Sequence, residues 1–242
     1  MNQTCKILVF CLLLSTLAVA QNPKKKDYLV TLTTDFGTAH LVFFQDTPLH
    51  RANYIKLIDQ HYFDGLLFHR VIPQFMIQSG DPTSRTAVAG QALGEADNGT
   101  LIPAEIRPER YHYRGAIGAA RDKRPDKASS DSQFYLVQGV VWTDSSLNAQ
   151  LEHGLKWGER RIPGGRVPTQ AQRQVYKTIG GTPYLDGAFT VFGEVIDNLA
   201  VIDSIAKQPR NPADRPLTDH RLAMSGQWMK KKKITKLYGY RY

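Results

Sequence analysis

The stretch Phe68-His69-Arg70-Val71-Ile72-Pro73-Gln74-Phe75-Met76-Ile77-Gln78-Ser79-Gly80-Asp81 decides how the chain is to be read. It follows an Asp64-Gly65 turn, so Leu66 to Ile72 reads as a strand; Pro73 interrupts, and Phe75 to Gln78 reads as the next. The run is apolar enough to form the wall of a barrel, yet it holds one cation, Arg70, and two residues that can hydrogen-bond, Arg70 and Gln78, are interleaved with Phe75 and Met76. A guanidinium is costly to bury alone, so Arg70 is either paired or held at a surface for function. Composition alone favours the plainer case, an arginine closing an edge strand in a pair with Asp81 or Glu105.

Upstream, Tyr28 to Thr33 alternates apolar and polar residues, Asp35-Phe36-Gly37 supplies a turn, and Ala39 to Phe44 gives a second strand. Thr47 before Pro48 fits a helix N-cap with proline at the first helical position, and Leu49, Ala52, Ile55 and Ile58 carry the helical period to about Gln60. Downstream, residues 80–108 are loop-like, with Asn98-Gly99 as a turn, while Gly115 to Ala120, Ser132 to Val137 and Phe189 to Phe192 read as strands. Val195 to Ala206 reads as a second amphipathic helix. Between Asp144 and Gly181 the chain turns polar and has two helix-like pieces, Ser146 to Gly154 and Thr169 to Thr178, as an insertion between strands does. Its charged residues, among them Glu152, Lys156, Glu159, Arg160 and Arg161, predict solvated helices. Short antiparallel-type strands with two well-separated helices predict a mainly β fold, a closed or nearly closed barrel with capping helices in one domain.

The 242 residues are 42% hydrophobic and 10% aromatic, which excludes a disordered chain. Both cysteines, Cys5 and Cys11, fall in a leader. Lys6 precedes the apolar run Ile7 to Ala20, which ends Ala18-Val19-Ala20, the pattern of a secretory signal cut after Ala20. The run is shorter than the roughly 17–25 residues of a membrane-spanning helix. The expected product is residues 21–242: exported, without cysteine, and not inserted in a membrane after cleavage. It would have no disulfide, cysteine nucleophile or cysteine-ligated zinc. The formal net charge of +9 is concentrated at Lys24 to Lys26 and in a basic tail over 229–242, read as a solvated final strand or tail rather than a nucleic-acid site. His40, His50, His61, His112, His153 and His220 lack the close spacing of a metal site.

The segment from Phe68 to Asp81 resembles the signature of the cyclophilin-type peptidyl-prolyl isomerases. So do Gly115-Ala116-Ile117-Gly118-Ala119-Ala120, Ser132-Gln133-Phe134-Tyr135-Leu136 and Leu185 to Val195, in the family's order and approximate spacing. The likeness covers most of Tyr28 to Ala206, with 144–181 as extra sequence. It implies a closed eight-stranded antiparallel barrel capped by two helices, with the partly helical insertion added, and cis/trans exchange at X-Pro bonds. It implies that Arg70 is catalytic. By the same likeness Phe75, Met76, Gln78, Ala120, Gln133, Tyr135, Leu185 and Phe189 line the proline pocket and its groove, and Arg121 holds peptide through its backbone. Tyr184 stands where many eukaryotic members carry tryptophan, which implies weak cyclosporin sensitivity. Phe189 replaces a common histidine.

No nucleophile, metal or cofactor is required for such a rotation. The implied partners are proline-containing polypeptides undergoing folding, met by a monomer in a periplasm or outside the cell. A competing reading keeps the groove as a non-catalytic peptide-binding or chaperone module. The retained Arg70, Phe75, Gln78 and Gln133 favour catalysis, since a module that only binds has no evident need of the arginine.

Overall fold

The computed structural model describes residues 25–152, 156–157, 160–161 and 165–242. The expected leader with both cysteines, Lys24, and His153 and Glu159 of the insertion lie outside the described residues. β1 (Lys26–Thr34) and β2 (Gly37–Phe43) form the opening hairpin, followed by α1 (Pro48–Asp59), β3 (Arg70–Ile72) and β4 (Met76–Ser79). After a long loop come β5 (Leu101–Ile102), β6 (Ala116–Ala119), β7 (Ser129–Ser130) and β8 (Phe134–Val137). The insertion supplies α2 (Asp144–Glu152), β9 (Lys156–Trp157), β10 (Arg160–Arg161) and α3 (Gln170–Thr178). β11 (Val191–Val195), α4 (Ala200–Ala206), β12 (Leu222–Lys230) and α5 (Lys231–Tyr238) complete the chain.

Eight strands make one sheet in the order β12-β1-β2-β11-β6-β8-β4-β3, every pairing antiparallel. The expected closure is not a continuous ladder among the described residues. The two edges are joined ahead of β3 by an isolated bridge between Leu67 and Arg221, with Phe68 N donating to His220 O at 3.0 Å and Leu222 N to Leu66 O at 2.9 Å.

Side-chain alternation along the strands divides the apolar residues between two faces. Val71, Ile77, Ile117, Phe134 and Leu136 point into the main core with Tyr54, Phe63 and Phe192. Their neighbours Met76, Tyr135, Val137, Ala116 and Val191 point the other way and gather Phe75, Tyr184 and Leu185 into a second cluster. A third cluster, Leu29, Val42, Met229 and Ile234, lies under α5.

Several expectations need correction. Beyond the two capping helices α1 and α4 and the two expected helical pieces of the insertion, α2 and α3, a fifth helix, α5, stands in the tail. The segment expected as one helix from Val195 divides: Val195 ends β11, Ile196 N donates to His40 O at 2.8 Å, and α4 begins only at Ala200. Asn198, left-handed at φ 48°, lies between the sheet and the helix. Thr47 makes no side-chain cap for α1; its hydroxyl donates to Phe44 O at 3.3 Å. The first-turn amides are taken instead by Glu105, which accepts from Leu49 N at 3.0 Å and His50 N at 2.9 Å. The basic tail is the end of β12 followed by α5, whose Ile234 is fully buried. Among the described residues, no helix is long and apolar enough to cross a membrane.

Candidate functional site

The ladders align one residue from each of four adjacent strands. Arg70 faces Gln78 across β3 and β4, Gln78 faces Tyr135 across β4 and β8, and Tyr135 faces Gly118 across β8 and β6. Side chains in register on one face are close enough to touch, so a cation, an amide and an aromatic ring form a row. Arg70 Nη1 donates to Gln78 Oε1 at 3.3 Å, and Gln78 Nε2 donates to Gln133 Oε1 at 3.0 Å. Gln133 Nε2 donates to the carbonyls of Gly94 at 2.9 Å and Ala96 at 2.8 Å, so the amide chain ends on the long loop.

The carboxylate beside Arg70 is neither Asp81 nor Glu105. Glu105 caps α1, and Asp81 accepts from Thr83 and Gly94. The partner is Asp214, whose Oδ2 lies 3.7 Å from Arg70 Nε and whose Oδ1 takes Arg210 Nε at 3.0 Å. Asp214 is left-handed at φ 63°, and its carbonyl accepts from Val71 N at 2.9 Å, so the loop before β12 is tied to β3. With 31% of its side chain exposed, Arg70 keeps a face to solvent while its planar fork is oriented from two sides.

Beside this row the second cluster forms an apolar floor and wall. Phe75, Met76, Tyr135, Tyr184 and Leu185 are buried, while Ala120 and Phe189 are half-buried against them. The ring centroids of Phe75 and Tyr184 are 5.9 Å apart, and those of Tyr135 and Phe189 are 6.1 Å apart, edge to face. Burial raises the Tyr184 phenol well above its ordinary value, so it stays neutral throughout the physiological range. Gly118 is required here, because a Cβ on it would lie 2.1 Å from Tyr135 Cζ. Arg121 does more than its backbone role suggested. Its Nε donates to Ala188 O at 2.8 Å and its guanidinium lies 4.6 Å over the Phe189 ring, fixing that wall.

All eleven residues singled out in the sequence therefore lie along Arg70's row or around the apolar cluster next to it. Sequence reasoning missed Asp214, the carbonyls of Gly94 and Ala96, and the buried pair His112 and Asp186 beneath Tyr135. Nothing in the local sequence around Asp186 or Asp214 signals what these carboxylates face. His69 is buried with neither ring nitrogen hydrogen-bonded to a described residue. Burial pulls its imidazole down to about 4; Asp81 opposes that shift, and Arg70 and Arg215 assist it.

The family profile for cyclophilin type peptidyl-prolyl cis-trans isomerase/CLD matches residues 29–154 and 160–226. A Streptococcus pyogenes protein named as a bifunctional phosphatase/peptidyl-prolyl cis-trans isomerase is 37% identical over 193 residues; the alignment covers 78% of this chain but only 36% of that protein. Proteins of Staphylococcus haemolyticus and Staphylococcus aureus named as peptidyl-prolyl cis-trans isomerases are 31% and 32% identical, covering 78% of this chain and 86% of each. Among solved structures, a Cryptosporidium parvum cyclophilin type isomerase crystallised with the dipeptide Ala-Pro superposes with a TM-score of 0.57 at 20% identity. That superposition covers 82% of this chain and 98% of the other.

Proposed function

The chain belongs to the cyclophilin-type peptidyl-prolyl cis-trans isomerase family, and from that premise we propose that it accelerates X-Pro isomerisation in proline-containing polypeptides, with Arg70 as the catalytic residue. The observation that carries the reading is the fixed row from Arg70 through Gln78 to Gln133 at the edge of an apolar pocket. Rotation about a peptide C–N bond is opposed by resonance with a barrier of roughly 18–20 kcal/mol. No bond to another atom is made or broken, so the need is for interactions stronger with the twisted amide than with either planar form. As the amide twists, conjugation is lost and the proline nitrogen becomes pyramidal and more basic. Arg70, held by Gln78 and Asp214, stabilises that change without reorganising. Phe75, Met76, Tyr135, Tyr184, Leu185 and Phe189 seat the proline ring. Gln133, Ala120 and the Arg121 backbone hold the flanking peptide.

The remaining parts of the proposal rest on sequence. Residues 1–20 serve as a cleaved export signal. Residues 21–242 act as a single isomerase domain, monomeric, assisting folding in a periplasm or outside the cell. The Leu67–Arg221 bridge supports a sheet drawn shut into a barrel. Arg70→Ala should lower the isomerisation rate of a short X-Pro peptide by well over tenfold while leaving thermal unfolding nearly unchanged. Near-normal activity in that variant would sink the mechanism. Peptide binding by the wild type without accelerated exchange would favour the binding module instead.

A further inference from the structure

The insertion reaches the pocket through a buried chain of polar side chains. Tyr176 of α3 is fully buried, and its hydroxyl donates to Asp186 Oδ2 at 2.7 Å. The other carboxylate oxygen, Oδ1, accepts from His112 N and His112 Nδ1, both at 2.9 Å. With Nδ1 donating, Nε2 of a neutral His112 is an acceptor, and it lies 2.8 Å from the Tyr135 hydroxyl. Asp186 and His112 are fully buried, and the rings of His112 and Tyr135 lie nearly parallel, 10° apart. The insertion also holds the backbone of Asp186, because Arg166 N donates to Asp186 O at 2.6 Å. Asp186 directly follows Tyr184 and Leu185 and stands three residues before Phe189, so fixing it fixes the pocket wall. Gly181 closes the arrangement: a Cβ there would lie 2.2 Å from His112 O and 2.7 Å from the Tyr176 ring.

We propose that Tyr176 is a positioning residue for the proline pocket, acting through Asp186 and His112 on the Tyr135 floor and the 184–189 wall, so that the insertion is part of the substrate-binding apparatus. This rests on the reading of that cluster as the proline pocket. A buried carboxylate that loses one of its donors shifts toward the others, and a buried histidine between two fixed partners transmits the shift. The effect belongs in substrate affinity, since Arg70 is oriented from the opposite side by Gln78 and Asp214.

The test is binding of an Ala-Ala-Pro-Phe peptide, measured by NMR titration alongside exchange rates, in Tyr176→Phe, Tyr135→Phe and the double variant. Each single substitution should raise Kd by about three- to tenfold and raise KM with little change in kcat. The double variant should bind no worse than the weaker single, because both cut one chain. Lys177→Gln, the next residue of α3, breaks a surface pair with Asp144 and should leave Kd unchanged. An unaltered Kd in folded Tyr176→Phe, or single effects that multiply in the double variant, overturns the proposal. Should Tyr176→Phe not fold, Asp186→Asn, which keeps the shape and removes the charge ordering His112, is held to the same Kd criterion. Failure of the isomerase reading would appear differently, as wild-type binding without faster exchange, and leaves the Kd comparison intact.

Discussion

At the scale of single residues, the neighbourhood of Arg70 joins opposite solutions to burying polar groups. Arg70 is partnered and half exposed, whereas His69 beside it is sealed in without a described hydrogen-bond partner and therefore stays neutral. Its folded-state value of about 4 lies below the ordinary 6.5, so between those values the unfolded chain binds more protons than the native one. The His69 contribution to stability is complete above about pH 6.5 and drains as pH falls toward 4, by roughly 3 kcal/mol at most. Urea unfolding at pH 7, 5.5 and 4.5 should show this loss in the wild type and a shallower one in His69→Gln; equal slopes would show that other groups carry the acid sensitivity. The charged groups around the ring, Asp81, Arg70 and Arg215, lie on different segments of the chain. No spacing along the chain therefore marks which charges a protonated His69 would meet.

At the scale of elements, helix termini separate local from tertiary causes. α3 starts as its sequence predicts, with Thr169 and Gln172 forming a capping box from residues of the helix start itself. α1 starts at a Thr-Pro pair that looks equally local, yet its cap is the Glu105 carboxylate, 55 residues beyond His50. Glu105 also takes the His50 ring at 2.7 Å, and burial nevertheless lowers the His50 value. Glu105→Ala should cost about 2–4 kcal/mol of unfolding free energy, since it strands amides and an imidazole in a buried site. A loss under about 0.5 kcal/mol would mean that α1 is capped by another group. The misread helix from Val195 has the same lesson in reverse: its apolar spacing is helical, but β2 claims the first residues for the sheet.

At the scale of the whole molecule, the sheet has one inner and two outer apolar surfaces. The outer surface of β1, β2 and β12 is covered by α5, and the outer surface around β4, β8 and β6 forms the pocket. Ile234→Ala should therefore cost about 2–5 kcal/mol of stability while leaving X-Pro isomerisation unchanged; a selective loss of activity would contradict this division of the two surfaces. The lysine-rich ends of the described chain, distant in sequence, meet at one corner, where Lys26 pairs with Lys230 and Lys231 N donates to Lys25 O at 3.0 Å. The sequence by itself determined the strand-and-turn rhythm, the opening hairpin and the insertion, because each depends on periodicity or on a local motif, while the site residues were legible only through the family resemblance of several blocks together. Only the tertiary structure decided that Asp214 rather than Asp81 or Glu105 faces Arg70, that Glu105 caps α1, and that Tyr176 reaches Asp186. Those contacts join segments brought together by strand register and loop closure, and no spacing along the chain encodes which buried polar groups will meet.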